Sequence, residues 1–322
     1  MRLRWLAGKA LAALLTLAFV LVFNFFLFRV MGDPTAQLAR LPRATPQEIE
    51  QLRHYYGLDK PLLGQFADYV GDTLQGDLGI SQRSRRTVAA ELRDAIPWTL
   101  LLVGVGTLFA TLLGTWLGVI AATRRGTATD DGLLGFSLFT YSAPEYWIGL
   151  LLILLFAVAI PIFPAGLQVT PGKEFGSWLA HAADVAEHLV LPEIALTLVL
   201  LGQYFVIMRS SMVDVLTEDF ITVKRATGLP WHRVVRRHAV RNALLPLVTL
   251  SAIQFGYVMG GVITIETIFS WPGLGLLEFD AINSKDFPVL QGAFLVFAVA
   301  VIALNVLADV LYFFLDPRVQ TA

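Results

Sequence analysis

The sequence contains no cysteine and few charged residues. None of its 322 residues is Cys and only 15% are Asp, Glu, Lys or Arg, whereas 56% are hydrophobic. The absence of cysteine excludes disulfide bonds, thiol chemistry and cysteine-ligated metal. Because soluble domains carry about 25% charged residues, this composition indicates an integral membrane protein. The formal net charge of −1, without a dense run of Lys or Arg, gives no reason to expect a nucleic acid partner.

Motifs that would mark an enzyme are also missing. The sequence has no G-x-x-x-x-G-K-[ST] phosphate loop, no H-E-x-x-H motif and no recognisable nucleophile–base pair. The histidines lie in polar segments without the spacing of zinc or nickel ligands, and we expect them to be solvated or interfacial. They are His54, His181, His188, His232 and His238. We therefore expect no enzymatic activity, metal or cofactor in this chain.

The sequence contains several long apolar runs. A membrane-spanning helix needs about 20 apolar residues, and six runs meet this length. They are residues 9–30, 97–122, 132–160, 189–208, 246–268 and 289–315. The first follows the basic start MRLRWLAGK, but it is too long for a signal peptide and lacks a small-residue cleavage site. The sequence thus predicts an all-α polytopic membrane protein with six transmembrane helices.

Lys and Arg are distributed unevenly between the connecting segments. The short loops 161–188 and 269–288 hold only Lys173 and Lys285, whereas the remaining termini and short loops are basic. The positive-inside rule therefore predicts that both termini are cytoplasmic. Three regions follow from this topology. They are the N-terminus with the first transmembrane helix (1–30), an external helical segment (31–96) and a core of five transmembrane helices (97–322) with a cytoplasmic loop (209–245).

Two local patterns concern helix ends and helix packing. In the external segment, Thr45 is the predicted N-cap of a helix, with Pro46 in its first turn, Glu48 closing a capping box and Gly57 ending it. A second short helix is predicted from about Pro61 to Leu74. Within the spans, Gly114 and Gly118 form one G-x-x-x-G pattern, and Gly256 and Gly260 form another. Such patterns allow close helix packing, either within the chain or in a dimer or pore lining.

The segment ITVKRATGLPWHRVVRRHAVRNALLP, residues 221–246, is basic although it lies between two apolar spans. Apolar residues from Met212 to Val223 recur at helical spacing and predict one amphipathic helix, which ends at Gly228. Pro230 then begins a second helix carrying Trp231 and a stack of arginines. A helix–turn–helix of this kind either rests on anionic lipid or docks a cytoplasmic partner through apolar anchors.

The same segment resembles the cytoplasmic coupling loop of permease subunits of ABC importers, in the dipeptide/oligopeptide/nickel branch. Further segments resemble landmarks of this branch in the expected order, including GDLGIS at 76–81, SAPEYWIGLLLILLFA at 142–157 and IETIFSWPGLGLL at 265–277. Lys224 and Thr227 differ from the small and basic residues usual at their positions. The resemblance implies a loop that inserts into a cleft of an ATPase subunit. The residues expected to couple are Lys224, Arg225, Gly228, Trp231, Arg233, Val234, Val235 and Arg237.

The resemblance also implies a set of partners in a bacterial inner membrane. We expect a second homologous permease, two cytoplasmic ATPase subunits or domains that bind ATP and Mg²⁺, and an extracytoplasmic substrate-binding protein. Peptides are the expected substrates, with nickel complexes or other small solutes as alternatives within the branch. A proton-coupled secondary transporter is the alternative from another class, although the inverted repeat typical of many such carriers is not found.

Ionisable and polar groups at membrane depth are costly and are candidates for function. Glu145 follows Pro144, which we expect to kink its helix, and it either contacts a cationic substrate group or makes a structural hydrogen bond. Gln254 and Glu266 are further candidates for the substrate path. Glu193 is interpreted as an interfacial carboxylate, and Asn305 with Asp309 as a packing pair.

Overall fold

A computed structural model describes residues 2–31, 45, 47, 50, 59–244, 246–247 and 262–315. Across these residues the secondary structure is helical, apart from an isolated antiparallel bridge between Ile80 and Thr87. The predicted helix at residues 45–57 and most of the predicted fifth span, with Gln254, Gly256 and Gly260, lie outside the described residues.

Twelve α-helices are defined in the described part of the chain. They are α1 (Arg2–Met31), α2 (Leu62–Leu74), α3 (Val88–Thr123), α4 (Ala128–Ser142), α5 (Glu145–Ile153), α6 (Trp178–Leu216), α7 (Asp219–Ala226), α8 (Trp231–Val234), α9 (Val240–Ala243), α10 (Ile263–Ile268), α11 (Leu274–Ser284) and α12 (Phe287–Leu315). Two π-helical stretches, Leu154–Ala159 and Val235–Ala239, continue α5 and join α8 to α9.

Four of these helices contain segments that are long and apolar enough to cross a membrane: Gly8–Arg29, Val88–Thr123, Trp178–Leu216 and Phe287–Val306. The bent pair of helices around Pro144 makes a fifth if it counts as one span. The predicted all-α class is therefore confirmed for the described residues, which contain four or five apolar spans and do not confirm the predicted six.

The chain forms two compact units. The first contains the described residues of Met1–Pro97 and Leu277–Val306. In it, the ring of Phe25 on α1 packs edge-on against Phe66 of α2, with centroids 5.3 Å apart. The buried Asn24 amide donates to the Tyr69 hydroxyl at 2.9 Å and to the Gln291 carbonyl at 3.1 Å. These contacts attach α2 and α12 to the first helix.

The second unit contains the described residues of Trp98–Leu276 and is organised around α6, of which more than half of the most apolar stretch is buried. Glycines on α3 allow the backbone of α6 to approach closely. A Cβ atom at Gly114 would lie 2.6 Å from the Cβ of Tyr204, and one at Gly118 would lie 2.8 Å from the Cβ of Met208. The G-x-x-x-G pattern at Gly114 and Gly118 is therefore used for packing within this chain.

The third predicted span, residues 132–160, is not one straight helix. Helix α4 ends at Ser142, α5 begins at Glu145, and the two are bent by 100°. Pro144 lacks an amide hydrogen and restricts the backbone of the residue before it. Ala143 accordingly has an extended conformation, with φ −72° and ψ 135°. The kink predicted at this proline is confirmed, whereas the continuous span is wrong.

The fourth predicted span is too short at both ends. Helix α6 runs for 39 residues, from Trp178 to Leu216, and continues across Pro192. It thus absorbs the first part of the predicted amphipathic helix at Met212–Val223, which is wrong as a single element. Helix α6 ends at its C-cap, Thr217, and a separate helix, α7, begins at Asp219. Helical periodicity persists through such a break, so the sequence pattern alone does not locate it.

Candidate coupling surface

A tight turn separates α7 from α8. Gly228 has φ +80°, the left-handed conformation that glycine adopts without steric cost. The Thr227 amide donates to the Val223 carbonyl at 3.1 Å, and the Gly228 amide donates to the Arg225 carbonyl at 3.0 Å, which completes the end of α7. Pro230, with φ −64°, is the N-cap of α8. The helix stop predicted at Gly228 is confirmed.

Two side chains connect the helices across this turn. The guanidinium carbon of Arg225 on α7 lies 5.2 Å from the centre of the Trp231 ring on α8. A cation–π contact at a partly exposed site contributes about 0.5–1 kcal/mol. Trp231 remains 43% exposed, so its ring supports the turn and still presents an apolar surface.

We call the exposed side chains of this hairpin the coupling surface. Its apolar members are Val223 and Trp231, which are 59% and 43% exposed, and Phe220 at its edge. Its basic members, all exposed, are Arg225, Arg233, Arg236, Arg237 and Arg241, with Lys224 half-buried beside them. The surface therefore combines a few apolar anchors with a cluster of cations.

Two predicted anchors do not belong to this surface. Val234 has no exposed area and Val235 is 7% exposed, and both pack into the core of the second unit with Met212 and Ile221. The prediction that they fill a partner's cleft is wrong, because their stripe holds the hairpin on its own protein. Phe220 and Val223, which the sequence interpretation assigned to a helix face without a partner role, take their place on the outside.

A buried ion pair between α4 and α6 was not predicted. Asp130, at the start of α4, accepts two parallel hydrogen bonds from Arg209 of α6, Nε–Oδ1 at 2.6 Å and Nη2–Oδ2 at 2.7 Å. The Gly126 amide also donates to Asp130 Oδ2 at 3.0 Å. The carboxylate is almost fully buried, with only 2% of the Asp130 side chain exposed. The pair fixes the loop before α4 to α6. Its only signals in the sequence were the acidic residues in the first turn of α4 and an arginine within α6.

Glu145 occupies the first position of α5, directly after the 100° bend. It is half-buried, and no hydrogen bond or ion pair of its carboxylate is found within the described part of the chain. The structural hydrogen bond considered for Glu145 is therefore not seen among those residues. The third candidate for the substrate path, Gln254, lies outside them.

Glu266, in contrast, is enclosed and fully satisfied. It has no exposed area, and its Oε1 accepts from the Thr99 hydroxyl at 2.6 Å. Its Oε2 accepts from the amides of Gly275 at 2.7 Å and Leu276 at 3.1 Å, at the start of α11. Such an arrangement joins α3, α10 and the beginning of α11, and it contradicts the substrate-path interpretation of Glu266.

His188 also differs from its prediction. It lies inside α6, is only 4% exposed, and its Nδ1 donates to the Gly166 carbonyl at 2.8 Å. Nearby, Asp184 accepts from the Thr170 amide at 2.7 Å and from Lys173 Nζ at 2.5 Å. His188 is not solvated, because α6 begins well before the apolar run and the buried side chains of Asp184 and His188 bond to the loop 161–177. The interfacial role predicted for Glu193 is also wrong, because this residue is 8% exposed and lies well inside α6.

Comparison with known proteins identifies the family. The family described as "Binding-protein-dependent transport system inner membrane component" matches residues 114–321, and its N-terminal companion, "Binding-prot-dependent transport system membrane comp, N-term", matches residues 2–103. The chain is 39% identical over 319 residues to the di/tripeptide transport system permease protein DppB of Pseudomonas aeruginosa, covering 94% of each chain.

Two further relatives carry related names. The dipeptide transport system permease protein DppB of Escherichia coli K12 is 38% identical over 311 residues, covering 92% of each chain. The glutathione transport system permease protein GsiC of an E. coli O6:H1 strain is 37% identical over 314 residues, covering 97% of each. The resemblance first seen in residues 209–245 thus extends over nearly the full length. The chain belongs to the family of inner membrane components of binding-protein-dependent transport systems.

Proposed function

We propose that this protein is the permease subunit of an ATP-driven peptide importer and forms half of its translocation path. In this proposal it has six transmembrane helices and cytoplasmic termini. The observation that carries the proposal is the coupling surface: an exposed basic hairpin with apolar anchors, which follows the long helix α6 and packs its buried side against it. A surface of this composition fits a protein partner, since Arg and aromatic side chains are the residues most enriched at interface hot spots.

The proposed mechanism is alternating access. Two cytoplasmic ATPase subunits bind ATP and Mg²⁺ and close on each other, and their clefts hold the coupling surfaces of this chain and of a second, homologous permease. The two hairpins then move together and the path between the permeases opens toward the extracytoplasmic binding protein. Peptides as substrates are supported by the names of the relatives, which are transporters of dipeptides, tripeptides and glutathione.

Reconstitution tests this proposal. Because the sequence lacks a phosphate loop, the purified chain is expected to hydrolyse no ATP. In proteoliposomes, peptide uptake is expected only when the second permease, the ATPase subunits, the binding protein and ATP are all present. The measurement is uptake of a radiolabelled dipeptide, with each component omitted in turn. Uptake by this chain alone under a proton gradient would instead identify a secondary transporter.

Glu145 is proposed to contact a cationic group of the substrate. Its half-buried carboxylate at the bend before α5 has no partner among the described residues, and a charge-assisted hydrogen bond contributes about 1.5–3 kcal/mol. Glu145→Gln is therefore expected to lower uptake of a dipeptide with a free amino terminus about tenfold or more, and uptake of its N-acetylated analogue much less. Equal losses for both peptides, with less protein in the membrane, would assign Glu145 a structural role.

A further inference from the structure

A cavity of about 260 Å³ lies in the first unit, between α1, α2, the loop that follows α2 and the start of α12. Its walls are held by the buried Asn24, whose amide donates to Tyr69 and to the carbonyl of Gln291. Both of these acceptor residues line the cavity. The contacts that hold the three helices together therefore also give the cavity its shape.

Charged side chains of both signs line this cavity without pairing with one another. The cation is Arg29 on α1, and the carboxylates are Asp68, Asp72 and Asp77. Asp68 pairs with the exposed Lys60, and Asp77 accepts a hydrogen bond from the Gly79 amide. Arg29 is half-buried and Asp72 lies at the exposed rim, and neither makes a side-chain hydrogen bond or ion pair among the described residues. A ligand that satisfies both Arg29 and Asp72 must carry an anionic group and a cationic group.

The position of the cavity indicates a lipid as the source of this ligand. Arg29 is the last residue of the apolar segment Gly8–Arg29, so the cavity lies where this segment leaves the hydrocarbon, at the level of the lipid headgroups. The rest of its wall is apolar and includes Phe25, Phe28 and Phe287. Only 11% of the most apolar stretch of α1 is buried, which leaves most of this helix available to acyl chains. A charged rim and an apolar floor at this level fit a phospholipid.

The charges of the cavity distinguish between headgroups. Ethanolamine carries a primary ammonium beside the phosphate, and the phosphate suits a guanidinium while the ammonium donates to carboxylates. A glycerol headgroup brings only negative charge toward the three carboxylates, and the quaternary ammonium of choline has no N–H to donate. A free dipeptide shares the ammonium and the anionic group but has no acyl chain to place along α1.

We propose that the cavity binds the headgroup of phosphatidylethanolamine, with the phosphate at Arg29 and the ammonium at Asp72. The acyl chains lie along the exposed apolar side of α1. Because Arg29 belongs to α1 and Asp72 to α2, the bound lipid bridges the two helices and stabilises the first unit. This assignment requires a membrane protein but does not depend on which substrate is transported.

Native mass spectrometry of the purified full-length chain tests the selectivity. After incubation with equal amounts of phosphatidylethanolamine, phosphatidylcholine and phosphatidylglycerol, we expect at least fivefold more bound phosphatidylethanolamine than either other lipid. Arg29→Gln and Asp72→Asn are each expected to lower its occupancy about tenfold, the effect of losing one charge-assisted hydrogen bond. The matched controls Arg125→Gln and Asp131→Asn, at exposed positions outside the cavity, are expected to stay within twofold. Equal occupancy by the three lipids, or unchanged binding by both cavity variants, would overturn the proposal.

Thermal unfolding in detergent tests the stabilisation and separates loss of the site from loss of the fold. Phosphatidylethanolamine is expected to raise the unfolding temperature of the unaltered chain but not that of Arg29→Gln. Arg29→Lys keeps the positive charge and is expected to retain most of the rise. An equal rise for the unaltered chain and Arg29→Gln would contradict the assignment. Displacement of the lipid by an excess of free Ala-Ala would also overturn it, since the ligand would then be a soluble zwitterion.

Discussion

Replacing Gly228 by Val is expected to leave the protein in the membrane at near-normal abundance and to abolish ATP-driven uptake. Apart from the two neighbouring residues, no atom lies within 4 Å of a Cβ built at Gly228, so the added Cβ meets open space. The cost is in the backbone, because φ +80° disfavours a residue with a Cβ by about 1–2 kcal/mol, and more for a β-branched one. A native protein tolerates this loss, but relaxing the strain turns α8 and moves Trp231 away from Arg225.

The measurements are membrane abundance, co-purification of the ATPase, and substrate-stimulated ATP hydrolysis with uptake. Two variants serve as matched controls. Gly228→Asn tolerates a left-handed backbone and is expected to retain most activity. Gly172→Val imposes the same strain at φ +72° with equally open space, far along the sequence from the hairpin, and is expected to keep its ATPase bound. Normal ATPase binding and transport by Gly228→Val would show that the hairpin rests on lipid.

Asp130→Ala is expected to cause the largest loss of stability among the substitutions considered. It leaves the guanidinium of Arg209, whose side chain is 23% exposed, without its two charge-assisted hydrogen bonds, and it also removes the acceptor of the Gly126 amide. Breaking a buried ion pair by removing one partner costs about 3–5 kcal/mol, and the partial exposure of Arg209 favours the lower value. Thermal unfolding in detergent and abundance in the membrane measure the loss.

The neighbouring Asp131 supplies the control, since it is exposed and Asp131→Ala is expected to be nearly silent. The double variant Asp130→Ala with Arg209→Ala is expected to lose less free energy of unfolding than the two single variants lose together, by about 0.5–3 kcal/mol. Strict additivity of the two substitutions would show that the pair contributes no coupling. The same variants are expected to weaken substrate-stimulated ATP hydrolysis, because the pair anchors the last part of α6, the helix that leads into the hairpin.

Local backbone chemistry made the turns and close contacts of this protein predictable. Three features follow from what one residue type permits, whatever surrounds it. They are the turn at Gly228, the bend at Pro144 and the close packing of α6 on α3 at Gly114 and Gly118. Exposed cations on α8 and α9 followed from the same reasoning, since charges at helical spacing rarely point into an apolar core.

Features that depend on tertiary packing were not predictable in this way. The apolar stripe with Val234 and Val235 is equally suited to an external partner and to the chain's own core, and only the packing of α6 against the hairpin decides between them. The predicted span was defined by its apolar residues and began at residue 189, whereas α6 begins at Trp178. His188 therefore fell outside the predicted span and was expected to be solvated or interfacial. The Asp130–Arg209 pair joins residues far apart in sequence, and the charges of neither segment alone indicate the contact.

The length of α6 has a mechanical consequence. One helix of 39 residues is about 58 Å long at 1.5 Å per residue, and both ends are fastened, by Asp184 near its start and by Arg209 near its end. A tilt of only 5° about its midpoint displaces each end by about 2.5 Å, in opposite directions, on the geometry of a straight rod of this length. If α6 tilts as one rigid rod, displacements at the loop 161–177 and at the coupling surface are equal in size, opposite in direction and simultaneous, without any relay through side chains.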